Sequence, residues 1–253
     1  MPRQAHDKSR VISWALSALL AGLLAAGAAH AAHPLATEDT GTQGAGNLEI
    51  ENGLSRARAG GASAFAYQPQ LSWGLTPSFG AIVQPSWLRG ADGSRGLGDT
   101  NLDAKWRFYG EAPWSLGVRA GLALASNQHA MGLPKGDVSA HALLVATYDA
   151  APFTVHANLG LARNPQGSGQ RPWQPSASAA LMWALDERLI LTVDAGTSAD
   201  PDPARKAWPA TLLAGAIYTL KPGLDLDIGY QLSARAQPAS KVWLLGLTYR
   251  FAP

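Results

Sequence analysis

Between Phe65 and Trp87 apolar side chains take every second position. Phe65, Tyr67, Pro69, Leu71, Trp73 and Leu75 form one arm, and Phe79, Ala81, Val83, Pro85 and Trp87 the other, with Thr76-Pro77-Ser78 between them. Ala66, Gln68, Gln70, Ser72 and Gly74 fill the alternate positions of the first arm. A period of two puts each set on its own face of a strand, and a helix cannot produce it. Each arm runs about ten residues with an aromatic toward either end. Soluble strands average about five or six residues, whereas a strand that crosses a bilayer needs roughly 9–11. The repeat predicts a transmembrane β-hairpin.

The pattern recurs along the chain. Leu48, Ile50 and Leu54 precede the hairpin, and nine further arms follow it, from Leu102, Ala104, Trp106 and Phe108 to Trp243, Leu245, Leu247, Tyr249 and Phe251. The connections alternate. Thr76–Ser78, Gly110–Pro113, Asp149–Pro152, Asp186–Arg188 and Lys221–Gly223 are tight. Gly90–Gly98, Ser126–Asp137, Arg163–Trp173 and Ser198–Ala207 are long, with Ala57–Ala62 and Ala236–Ser240 as shorter members of that set. Tight periplasmic turns alternating with longer extracellular loops predict an all-β fold, a twelve-stranded antiparallel up-and-down barrel in the Gram-negative outer membrane. On this threading Trp73, Trp106, Trp114, Phe153 and Trp183 fall at the periplasmic ends, and Phe65, Trp87, Trp173, Trp208 and Trp243 at the outer ends, as two headgroup-level girdles.

The N-terminus reads as an export signal. Arg3, Lys8 and Arg10 precede the apolar run Val11–Ala29, and Ala29-His30-Ala31 fits a peptidase site. The expected division is 1–31 signal peptide, 32–46 N-terminal segment in the periplasm or folded back into the barrel mouth, and 47–253 barrel. Removing the leader takes three of 20 basic and one of 18 acidic residues, which leaves 17 of each. A neutral mature chain without a basic stripe argues against a nucleic-acid partner. There are no cysteines, so neither disulfides nor thiolate metal sites are expected. Apolar residues make up 47% of the chain while mean hydropathy stays near zero, because alternation hides the apolar half from a sliding window.

Function must then lie in the lumen. Parity points Gln68, Gln70, Ser72, Gln84, Asp103, Lys105, Arg107, Arg119, His156, Asn158, Thr192, Asp194, Asp225, Asp227, Gln231 and Arg250 inward, together with the apolar Leu143, Val145, Leu213 and Ile217. A bore of twelve strands lies between filled eight-stranded and open sixteen-stranded barrels, so a narrow or partly occluded pore is expected. Its mixed wall suits a small amphipathic or aromatic solute. Several charges should serve structure, since buried charges need partners. Folding about Pro238 sets Arg250 beside Asp225 and Asp227, and folding about Glu111–Ala112 sets Arg119 beside Asp103 and Lys105.

Catalytic and cofactor signatures are scarce. No phosphate loop, dinucleotide fingerprint, zincin helix or nucleophile elbow occurs, and no cofactor is expected. A lipid hydrolase built on Ser139, His141, His156 and Asn158 fares poorly, because the two histidines fall on the order of 13 Å apart along the barrel. His33 would be the second mature residue, where a histidine can bind copper. With no accompanying ligand cluster it is expected to be an unengaged terminal side chain.

Two stretches carry a family resemblance. His33-Pro34-Leu35 through Glu38-Asp39-Thr40-Gly41-Thr42-Gln43-Gly44 and Gly46-Asn47, leading into Leu48–Gly53, is one. Gly96-Leu97-Gly98-Asp99-Thr100 followed by Leu102, Lys105, Trp106, Arg107 and Phe108 is the other. Both are similar to outer-membrane transporters associated with the meta-cleavage pathway of phenol degradation. The resemblance implies a barrel that passes aromatic or other hydrophobic compounds, and it assigns no functional residue. Expected partners are outer-membrane lipids, the barrel-assembly machinery and a small solute, although Ala252 and Pro253 follow the usual terminal aromatic, Phe251. The competing reading is a plugged structural or adhesive barrel acting through its loops.

Overall fold

A computed structural model describes residues 33–125, 138–166, 168–235 and 239–251. The expected leader, the loop residues 126–137, Gly167, residues 236–238 and the last two residues lie outside them. Fourteen strands form a single sheet. In chain order they are β1 (Leu48–Ala59), β2 (Ala62–Gly74), β3 (Phe79–Gln84), β4 (Trp87–Arg89), β5 (Arg95–Leu97), β6 (Thr100–Glu111) and β7 (Trp114–Leu124). There follow β8 (Ser139–Ala150), β9 (Phe153–Arg163), β10 (Trp173–Ala184), β11 (Leu189–Ser198), β12 (Ala210–Lys221), β13 (Leu224–Ala234) and β14 (Ser240–Phe251). β3 with β4 makes one stave and β5 with β6 another, so the barrel has twelve. Every pairing is antiparallel.

β1 closes the sheet. It pairs with β14 from Leu48↔Phe251 to Ala59↔Ser240 and with β2 from Leu48↔Trp73 to Ala59↔Ala62. Closure matters because the hydrocarbon offers no water to an unpaired edge, so each backbone N–H and C=O must find a partner within the sheet. Most full-length staves run ten to thirteen residues, the length that a tilted crossing requires. Both ends of the chain's barrel portion meet at the side of the tight turns, the periplasmic side.

The outward faces are apolar and bare to the surroundings. Leu159 is 63% exposed, and Trp106, Trp114, Leu144, Leu212 and Leu245 are all about half exposed. In water such a surface would drive aggregation; in lipid it is solvated. The periplasmic girdle forms contacting aromatic pairs, Trp106–Phe108, Trp114–Tyr148, Phe153–Trp183 and Tyr249–Phe251. Tyr67–Trp87 and Tyr230–Trp243 do so toward the outer rim.

Three local expectations need correction. The arm Phe79–Trp87 breaks at Pro85-Ser86, because proline cannot donate to a ladder. Beyond the break, part of the expected loop Gly90–Gly98 forms a small hairpin, with Arg89 opposite Arg95. Between β8 and β9 the reversal takes two unpaired residues, Ala151 and Pro152, so His141 faces Ala162 and not Gly160, and His156 faces Thr147 and not Val145. A register slip between Arg107 and Tyr109 in β6 sets Tyr109 opposite Leu116 and exposes both Phe108 and Tyr109.

Candidate functional site

The lumen wall follows the parity of the strands. Gln70, Ser72, Gln84, Asp103, Lys105, Arg119, His156, Asn158, Thr192, Asp194, Asp225 and Asp227 are buried, as are Leu143, Val145, Leu213 and Ile217. Gln68 and Gln231 are partly buried. Two expected lining residues belong to the periplasmic rim. Arg107 donates to the Pro77 carbonyl on the turn after β2. Arg250 reaches in from a side chain 46% exposed.

What buries the wall is the chain itself. Of the two placements expected for the N-terminal segment, it takes the one inside the barrel, and deeper than the mouth. His33 is engaged, in contrast to the unengaged terminus expected: its ring bonds Asp227 on β13, and its backbone N–H donates to Glu51 on β1 at 3.2 Å. Pro34 lies over Gly215 and Gly229; a Cβ on Gly229 would stand 2.9 Å from Pro34 Cβ. Leu35 packs on Ala180 and Leu213, with Met182 and Leu244 alongside.

The segment then keeps to that stretch of wall, where Asp194 stands between Ala180 and Leu213 in the ladder, before moving on to β9. The backbone N–H groups of Ala36 and Thr37 both donate to Asp194 Oδ2, at 2.8 and 2.7 Å. Asn158 grips Glu38 at both main-chain groups: its Oδ1 accepts from Glu38 N at 2.6 Å, and its Nδ2 donates to Glu38 O at 2.8 Å. Beyond this point the chain descends. Thr40 bonds Thr147 and Ser115, Thr42 donates to the Pro77 carbonyl, and Gln43 donates to Glu49. Gly44 then passes so close to β2 that a Cβ on Gly74 would lie 1.7 Å from the Gly44 carbonyl oxygen.

The polar centre of the lumen is one charged network. The Glu38 carboxylate accepts from Lys105 Nζ at 2.6 Å and from Arg119 at 2.5 Å, and it is 3% exposed. Lys105 also holds Asp39 at 2.8 Å. Arg119 forks onto Asp103, which takes His141 Nε2 on its other oxygen at 2.7 Å. A buried charge is tolerable when partnered on each side, and every charge here is. The expected pairing of Arg119 with Asp103 is present, with Lys105 directly across the ladder from Arg119. The expected Arg250 arrangement is half right: Arg250 binds Asp225 and, across β1, Glu49, while Asp227 is taken by His33.

Sequence reasoning missed His33, Glu38, Asp39, Glu49 and Glu51 as lumen groups. For Glu49 and Glu51 the signal existed, since Leu48, Ile50 and Leu54 facing lipid force them inward. For Glu38 and Asp39 there was none, because a stretch without period carries no parity.

The catalytic arrangement considered above does not assemble. His141 is committed to Asp103, and His156 to Thr147 and Met182. In the observed register they are six residues apart along β9, on the order of 20 Å. Among the described residues no group of three or more histidine, cysteine or carboxylate side chains converges where a metal could sit.

No family model matches the sequence, and no curated protein matches it. Solved structures do match in fold. The COG4313 outer membrane channel from Pseudomonas putida F1 superposes with a TM-score of 0.66 at 14% identity, over 84% of this chain and 98% of that one. The porin NanC gives 0.61 at 10% identity, over 80% and 98%. The KdgM porin gives 0.61 at 9% identity, over 81% and 99%. The likeness is one of fold, the closed antiparallel barrel of outer-membrane channels, here with twelve staves.

Proposed function

We propose that the protein is a constricted outer-membrane channel that admits small aromatic or otherwise hydrophobic molecules to the periplasm. The observation that carries the reading is the N-terminal segment laid across the bore and held on both walls. One flank of the constriction is charged, through Lys105, Arg119, Asp103 and Glu38. The other is apolar, through Leu35, Leu213 and Ala180. A solute with one greasy face and one polar edge meets both. The sequence resemblance supports the solute class, and its two stretches meet in the lumen where Lys105 holds Glu38 and Asp39.

On this reading the leader 1–31 is removed on export, and the segment that follows acts as the channel's own constriction. It leaves the wall by exchanging side-chain bonds, since no strand pairing ties residues 33–43 to the sheet. Proteoliposome uptake tests the proposal. The folded barrel should accumulate a small phenol or benzoate faster than protein-free vesicles and should exclude an oligosaccharide.

The burial of Glu38 favours a second reading, a permanently plugged barrel that works through its outer loops. No uptake of any small solute by correctly folded protein would decide for it.

A further inference from the structure

The outward face of the barrel is apolar nearly everywhere, with one exception. Arg56 and Arg58 on β1, Arg89 on β4, Arg95 on β5 and Lys241 on β14 all point away from the lumen and are exposed. They form one patch. Arg58 stands opposite Lys241, and Arg89 opposite Arg95. Phe65 on β2 lies between Arg56 and Arg89 in the same row, and the Arg56 guanidinium sits 5.3 Å from its ring centroid. All five lie beside the outer connections, at or above the level of Phe65 and Trp243.

The arrangement is unfavourable as it stands. Like charges directly opposite on neighbouring strands repel, and here there are two such pairs on one face. Among the described residues no acidic side chain pairs with any of the five; Arg58 donates to the Ser63 hydroxyl. The rest of the rim does not share the feature. On the outward outer halves of β6 to β13 the one cation is Arg163, stacked on Trp173. A concentrated, unneutralised patch at headgroup depth is complementary to a multiply charged anion that lies in the same plane.

We propose that this patch binds the phosphates of lipopolysaccharide in the outer leaflet, a bound glycolipid bridging the staves β14–β1–β2–β4–β5. Arginine suits the role, because its planar fork takes phosphate oxygens in pairs. Leu54 and Leu245, lower on the same face, would lie along the acyl chains.

The test uses the full-length barrel purified in detergent and stripped of lipid, with native mass spectrometry and thermal unfolding as readouts. Purified lipid A, its dephosphorylated form and inorganic phosphate are the probes. Lipid A should bind and raise the unfolding temperature, and the dephosphorylated lipid should bind at least roughly tenfold more weakly. Arg89→Gln with Arg95→Gln should lose a similar factor, whereas Arg163→Gln should not. Without lipid the double variant should be no less stable than the parent, because the substitution relieves repulsion; this also shows that it folds. Equal binding of the two lipid forms, or unaltered binding by the double variant, would overturn the proposal. So would saturation by inorganic phosphate at the concentration at which lipid A binds.

Discussion

Lys105 Nζ lies 2.6 Å from Glu38 Oε1, across 67 residues of sequence and across the mouth-to-wall gap of the barrel. Through that contact, and the one from Glu38 to Arg119, a segment with no secondary structure becomes part of the lumen wall. In the proposed channel, stability and permeability are therefore coupled at one carboxylate.

Glu38→Ala removes the shared acceptor of two buried cations. Breaking a buried pair on one side costs about 3–5 kcal/mol, and Asp39 and Asp103 retain part of that here. Urea unfolding in micelles should show a loss toward the lower end, with Glu38→Gln smaller. Planar-bilayer recordings of the alanine variant should show larger and noisier conductance than the parent.

Thr40 and Ser115 are bonded side chain to side chain, one on the segment and one on β7. The chain has no cysteine of its own, so Thr40→Cys with Ser115→Cys gives one possible bridge. Oxidation should fix the segment and lower solute uptake, and reductant should restore it. Uptake indifferent to oxidation, with the bridge verified by mass, would mean that this part of the segment does not move during passage.

Gly74 and Gly44 touch through their backbones, so no side chain fits at Gly74 without displacing the descending segment. Gly74→Val should cost about 1–3 kcal/mol, the usual range for overpacking, and should raise conductance by lifting the base of the constriction. A variant as stable and as narrow as the parent would show that the close approach is relaxed in the membrane.

Asp227 binds His33 and not Arg250, so its loss should free the inner end of the segment and leave the sheet intact. Asp227→Ala is expected to fold, judged by its compact migration before heating, and to conduct more than the parent. Failure to fold would assign the aspartate to the barrel's own assembly.

The staves were legible because a transmembrane strand must show its period: lipid on one face and lumen on the other leave no freedom of parity. Gln70, Asp103, Lys105, Arg119, Asn158 and Asp194 were placed inward on that basis alone, and all six are buried. Register was less legible. His141 lies two positions further along β9 than expected, because alternation is unchanged by a slip of two and only the turn at Ala151-Pro152 sets the count. Pro85 signalled the break in the third stave, but its place in the apolar alternation masked that. Glu38 was invisible for a different reason: what holds it is the arrangement of three strands, β6, β7 and β9, none of which is near it in sequence.

The most direct test is single-channel recording of the parent beside a chain that keeps residues 1–32 but lacks residues 33–42. The parent should show a small, fluctuating conductance and the deletion a severalfold larger, steady one, with both barrels folded. Equal conductances from two folded barrels would contradict that, because the segment would then not be what narrows the pore.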